Sequence, residues 1–197
     1  MKHTAVFRST ALTIIWLYSA ALAQAGQVVT QTERDWAKKA VQQEKTLGAV
    51  SAPNSIAVLY FNNKSGQTKL TPLQKGMAVM LITDLSKVEQ LRVVERVRMQ
   101  ALLDELELGA SGLMDAETAP KIGKLLGAAK VTSGDILKGE AQDLAINASV
   151  LDIPFDKIAE QPSAAGALDE LFRLEKEILF NIIEYMQISV SPQKKAE

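Results

Sequence analysis

The amino-acid sequence predicts an α/β domain, a three-layer-like arrangement in which one sheet carries helices on both faces. Three observations predict it. Ile56 to Phe61 is an uninterrupted apolar run set between Ser55 and the polar Asn62, Asn63 and Gly66, the pattern of a strand buried on both faces. Strand-like and helix-like stretches then alternate as far as Gly127, the order of parallel βαβ units. Finally, Leu168 to Met186 repeats apolar residues at helical spacing over a broad face.

The chain begins with a basic start at Lys2, His3 and Arg8 and an apolar stretch from Ala11 to Ala23. Small residues follow at Ala21, Ala23 and Ala25. This is the pattern of a cleavable signal peptide, residues 1–25, with Gly26 as the new N-terminus. The apolar stretch is shorter than the ~20 residues that a spanning helix needs. No cysteine stands at the cleavage site, so the bacterial lipoprotein route has nothing to modify.

Residues 26–54 read as an N-terminal helix and a linker. Thr30 to Lys45 is polar and helix-prone, with a thin apolar stripe at Val29, Trp36, Ala40 and Val41, which suits a peripheral helix. Gly48 to Asn54 contains Pro53 and reads as the linker. The main domain is expected over residues 55–190, with a tail at 191–197.

Within that domain the run Ile56–Phe61 is the first strand. Thr71, Pro72 and Gln74 predict a capped helix start, and Leu73, Met77, Met80, Leu81 and Leu85 supply its core face. Leu91 to Val94 is a short second strand leading into a helix with Met99, Leu102, Leu103 and Leu106 on one face, stopped at Gly109. Thr118-Ala119-Pro120 restarts a helix with Ile122, Leu125 and Leu126 inward and Gly127 at its end. Val131 to Leu137 and Leu144 to Asp152 are two strands joined by a turn near Gly139. In the second, Leu144, Ile146, Ala148 and Val150 alternate with Asp143, Ala145, Asn147 and Ser149, so one face is buried and the other wetter. Pro154 to Gly166 reads as a loop. The long C-terminal amphipathic helix follows, with Leu168, Leu171, Phe172, Ile178, Leu179, Ile182, Ile183 and Met186 on its apolar face. Ser191-Pro192 repeats a cap-then-proline start just before the end.

Composition narrows the chemistry. The chain has no cysteine, and its one histidine, His3, lies in the leader. The processed chain therefore offers neither an imidazole base nor a thiolate, which excludes Ser-His-Asp relays and zinc-thiolate cages. Loss of Lys2 and Arg8 from 22 basic residues leaves 20 against 23 acidic ones, a balance of −3, with no electrostatic case for nucleic acid. Removing 25 residues from 197 leaves 172. That is one domain with a real core, since a chain of ~150 residues buries about two-thirds of its unfolded surface.

Two places carry candidate interaction residues. Asn62, Asn63, Lys64 and Ser65 sit at the carboxyl end of the first strand, where α/β sheets tend to bind ligands, although a plain polar loop explains them as simply. No phosphate-binding glycine pattern is present there. Glu95 and Arg96 lie where a strand passes into a helix. They suit either a charged contact with a neighbouring subunit or a carboxylate stabilised by the helix dipole. Asp104, Glu105, Asp135 and Asp143 have no metal-ligand spacing. No catalytic, cofactor or metal residue is assigned.

Four segments in this order carry a family resemblance: Ile56 to Gly66; Val93-Val94-Glu95-Arg96 with Leu102-Leu103-Asp104-Glu105-Leu106; Lys121-Ile122-Gly123-Lys124-Leu125-Leu126-Gly127-Ala128; and Val131-Thr132-Ser133-Gly134-Asp135-Ile136. The chain resembles the curli-secretion channel (CsgG-like) family and the related holdfast-anchor and flagellar outer-membrane components. The resemblance implies a core like the N-terminal domain of TolB, a periplasmic or outer-membrane-associated location and no enzymatic activity. It also implies a role in exporting or anchoring surface polymers, envelope or secretion proteins as partners, and homo-oligomerisation. The sequence departs from the family in lacking the lipoprotein cysteine and in having a connection from Gly109 to Lys121 and a turn around Gly139 that are both too short for membrane hairpins of ~9 to 11 residues per strand. These departures point to an accessory or assembly factor rather than a pore. The alternatives from other classes are a periplasmic small-ligand module using Asn62 to Gly66 and a hydrolase using a carboxylate pair.

Overall fold

A computed structural model describes residues 28–46, 52–108, 118–140 and 143–188. The leader, Gly109 and the Ser191-Pro192 start lie outside the described residues. In chain order the elements are α1 (Gln31–Gln42), β1 (Ser55–Val58), β2 (Asn62–Asn63), α2 (Leu73–Leu85), β3 (Arg92–Val93), α3 (Arg96–Glu105) and α4 (Thr118–Leu126). They continue with β4 (Lys130–Lys138), β5 (Leu144–Asp152), β6 (Lys157–Glu160), β7 (Ser163–Gly166) and α5 (Leu171–Tyr185).

The sheet runs β3-β1-β4-β5-β6, with β2 also on β4 and β7 also on β5. β3, β1 and β4 are parallel, and β4 and β5 form a nine-residue antiparallel hairpin from Lys130↔Asp152 to Lys138↔Leu144. α1, α3 and α4 pack together on one face, with α4 against β4; α2 and α5 pack together on the other. Side-chain alternation along β4 serves both layers. Val131 meets Gly123 of α4, whereas Lys130, two residues from Thr132 on the opposite face, pairs with Asp152 beside Tyr185 of α5. The expected α/β layering is therefore present, and β5 shows the expected alternation, with Leu144, Ile146, Ala148 and Val150 buried.

α1 begins with the Thr30 and Glu33 capping box, in which the Thr30 hydroxyl hydrogen-bonds Glu33. Its stripe is thin but its contact is close: Ala37 and Ala40 are buried, and the helix lies across α3 and α4.

Several local expectations are corrected. The first strand is interrupted: β1 pairs with β4 at Val58↔Thr132 but β2 at Asn62↔Asp135, so the chain gains one residue on its partner. The Phe61 amide leaves the ladder and donates to the Gln74 carbonyl at 3.0 Å, a bulge that anchors α2 to the strand. Thr71 does not cap α2, because a 3-10 turn over Thr68–Leu70 delivers it already in helical conformation and Pro72 stands at the cap position. α3 ends before Gly109, with Glu107 at φ 53° in the left-handed region. The stretch from Pro154 to Gly166 contains the edge strands β6 and β7. They lack an alternating apolar pattern because β6 is largely exposed, and Pro162 turns the corner between them while its carbonyl accepts the Ala148 amide at 2.7 Å. In α5, Phe172 is 73% exposed and Leu168, just before the helix, 47%, while Glu175 is only 1% exposed. Glu175 sits on the Leu171, Ile178, Ile182 stripe, so helical geometry buries it irrespective of its charge. Gly127 ends α4 as expected, at φ +67°.

Candidate functional site

The polar loop after β2 is held by its own side chains. The Asn63 amide donates to the Gln67 carbonyl at 2.9 Å, and its oxygen accepts from the Ser65 amide and hydroxyl. The Ser65 hydroxyl in turn accepts the Gln67 amide at 3.1 Å. Gly66, at φ +74°, completes a turn of the Asx type that a side chain would strain. Asn63 and Ser65 are therefore committed to the turn. Asn62 and Lys64 project elsewhere: Asn62 is in register with Asp135, and the Lys64 ammonium pairs with Asp135 Oδ2 at 2.8 Å. Asn62 Oδ1 and Asp135 Oδ1 are buried acceptors without a hydrogen-bond partner among the described residues.

A second polar group lies on the α3 side of the same strand. The Tyr60 hydroxyl donates to Gln100 Oε1 at 2.6 Å, Gln100 donates to Asp104 Oδ1 at 2.7 Å, and Lys75 lies 5.3 Å from the tyrosine ring centre. Burial raises the Tyr60 pKa, against the charge and hydrogen bond of Arg96. Arg96 is thus brought to the carboxyl end of β1, two residues before Asn62. This Tyr60, Gln100, Asp104 chain was not legible in sequence, because no local pattern links a strand end to residues forty positions on.

Glu95 is the N-cap of α3, where its backbone is extended and its side chain makes no capping hydrogen bond. With Arg92, Val93, Val94, Arg98 and Leu126 it lines a cleft of about 440 Å³ beside β3. Arg98 is held over the Trp36 ring of α1, 5.4 Å from its centre. The six candidate residues therefore divide: Asn62, Lys64 and Arg96 near Asp135 and Tyr60, Asn63 and Ser65 in the turn, and Glu95 in the cleft.

These groups can hydrogen-bond and form ion pairs. Among the described residues no cluster of three or more His, Cys, Asp or Glu could hold a metal ion, and no helix is long and apolar enough to cross a membrane. The carboxyl group pushed up to about 7, that of Glu175, lies between α5 and α2 rather than in the loop or the cleft.

Among solved structures the chain is similar to lipoprotein GNA1162 from Neisseria meningitidis, with TM-score 0.50 and 16% identity over 71% of this chain and 100% of that one. It is also similar to the LpoB C-terminal domain from Salmonella enterica, with TM-score 0.49 and 17% identity over 68% and 95% of the two chains. TolB from Acinetobacter baumannii matches with TM-score 0.46 and 16% identity, over 70% of this chain and 29% of that one. At these identities the likeness concerns the fold. No curated protein sequence matches. The family described as curli production assembly/transport component CsgG matches residues 36–142, from within α1 through the whole of β4. That span is more than half of the 197 residues, so the chain belongs to the CsgG family of curli production assembly/transport components.

Proposed function

We propose that the protein is a non-enzymatic accessory or assembly factor of the bacterial envelope. In this reading it works in the periplasm or at the inner face of the outer membrane, in export or anchoring of a surface polymer by a curli-like route. Membership of the CsgG family over residues 36–142 is the observation that carries the reading. The leader pattern supports export, and the polar groups around Asn62, Lys64 and Arg96 support contact with other envelope proteins or with further copies of the chain.

Affinity purification of the exported protein from its native envelope after mild cross-linking tests the proposal. Recovery of a secretion or surface-fibre component is expected. Recovery of the protein alone, or of the intact leader on cytoplasmic protein, overturns it. A small-ligand module is a second reading, favoured by the acceptors Asn62 Oδ1 and Asp135 Oδ1, which have no partner among the described residues. A carboxylate-dependent hydrolase has less support, since Glu95 is the one carboxylate among the described residues lining the cleft.

A further inference from the structure

Among the described residues β3 ends the sheet on one side and is bonded only to β1. Its Arg92 amide donates to the Asn54 carbonyl at 3.0 Å and the Val94 amide to the Ile56 carbonyl at 2.9 Å. In a parallel ladder alternate residues bond to the same neighbour, so the Val93 N–H and C=O between them face outward from the sheet. The cleft of about 440 Å³ is lined by β3 itself, by Ala52 and Ser55 at the start of β1, by Glu95 and Arg98 at the start of α3, and by Leu126 and Gly127 at the end of α4. Val93, whose N–H and C=O have no partner among the described residues, thus forms part of a concave wall.

The charges on that wall are asymmetric. Arg92 is exposed, and Arg98 is held in place by the Trp36 ring. Neither guanidinium forms an ion pair with a carboxylate among the described residues. Among the described lining residues Glu95 is the single opposing charge.

We propose that this cleft is a docking groove for an extended, acidic segment of a partner protein, added as a strand to the outer edge of β3. The added backbone would bond Val93, and its acidic side chains would meet Arg92 and Arg98. Side chains on one face of a strand recur about 7 Å apart, so acidic residues at alternate positions suit the groove. The short length of β3 and the charge of Arg92 blunt indiscriminate edge pairing, which leaves selection to the acidic residues. An outward N–H and C=O pair beside two guanidiniums matches a peptide backbone carrying carboxylates. Nucleic acid offers phosphates but no strand to add. The inference rests on the proposed accessory role only for its choice of a protein as occupant.

Displayed random dodecapeptides selected against the exported full chain test the proposal. Enrichment of peptides with acidic residues at alternate positions is expected, and Arg92→Glu should weaken the synthetic consensus peptide at least tenfold. Val93→Pro should do the same, because it removes the outward N–H while leaving the Arg92 and Val94 bonds to β1 intact. Circular dichroism and melting of both variants check that the fold persists, and Arg92→Ala, at an exposed position, gives a second readout should Val93→Pro unfold. Absence of acidic enrichment, consensus peptides indifferent to Arg92→Glu, or self-association abolished by the edge variants overturns the proposal, the last because a second copy would then own the edge. The two readings fail separately. If Arg92→Glu recovers the same envelope partners as the natural chain, the groove is refuted and the accessory role stands; if the natural chain recovers none, the role falls whatever the peptides show.

Discussion

The Lys176 ammonium of α5 donates to Asp84 Oδ2 of α2 at 3.0 Å, immediately beside the buried carboxyl of Glu175. Burial pushes the Glu175 pKa up from 4.5 to about 7, with the Asp84 charge adding and the Lys176 and Lys87 charges opposing. A folded pKa above the unfolded one means stability that is complete below pH 4.5 and is lost as pH rises through about 7. Over that window the loss should amount to about 2 to 3 kcal/mol. Melting temperatures at pH 5 and pH 8 should differ for the natural chain and converge for Glu175→Gln; equal pH dependence in both would contradict the assignment.

Asp84 should act in the opposite direction. Burial raises its pKa, but the hydrogen bonds and charges of Lys87 and Lys176 outweigh this and hold it below 3.8. Its contribution is present above that value and lost on further acidification. Asp84→Asn should therefore flatten the acid limb of a stability profile, below pH 4, and leave the limb between pH 4.5 and 7 to Glu175. Denaturant midpoints across pH 2.5 to 8, compared by variant, separate the two groups.

Lys130 and Asp152 face each other in register on β4 and β5, bonded at 2.6 Å with side chains only 17% and 6% exposed. Tyr185 of α5 donates to the same carboxylate oxygen at 3.4 Å. Lys130→Ala leaves a buried charge without its cation and should cost about 3 kcal/mol, whereas the double change Lys130→Met with Asp152→Leu should cost markedly less. Urea unfolding of the three proteins checks the ordering. By contrast, Lys64→Ala breaks a solvated pair and should cost no more than about 0.5 kcal/mol.

At Gly134 a methyl group would run into the Asn147 carbonyl oxygen and the Phe61 ring. Backbone cannot give way as a side chain can, so Gly134→Ala should lose about 3 kcal/mol, near the upper end of overpacking costs. At Gly123 the nearest atoms that a methyl group would meet belong to the side chains of Ile153 and Val131, so Gly123→Ala should lose about 1 to 2 kcal/mol. Thermal melts that rank the two in the reverse order would show that the β4 to β5 approach is looser than described.

Tyr60→Phe removes the donor to Gln100 Oε1 and should cost about 1 kcal/mol. If Arg96 and this chain form part of a partner surface, the same variant lowers recovery of partners from the envelope more than it lowers the melting temperature. Parallel pull-down and melting measurements read the two effects.

Local patterns carried much of the architecture. The apolar run at Ile56–Phe61, the Leu144 to Asp152 alternation and the Gly127 stop each record a face or an end that depends on near neighbours in sequence, and each was legible. The break after Val58 was not, because a one-residue slip is visible only against β4. β6 and β7 escaped for a related reason: an edge strand with an exposed face has no periodicity to display. Within the candidate site, the position of Asn62 to Ser65 at a strand end could be read directly. The division of labour there, with Asn63 and Ser65 in the turn and Asn62 beside Asp135, depended on hydrogen bonds between elements.

By itself the sequence determined which chemistry the chain can hold, since it contains no cysteine and a single histidine, His3, and which segments prefer strand or helix. Tertiary structure alone decided which groups lose water and which stay unpaired among the described residues: Glu175 between two helices, Asp152 beneath Tyr185, and β3 in a cleft with two arginines. The physical reason is that periodicity registers the direction a side chain takes from its own element. Desolvation and unused hydrogen-bonding groups depend on what distant elements bring against it.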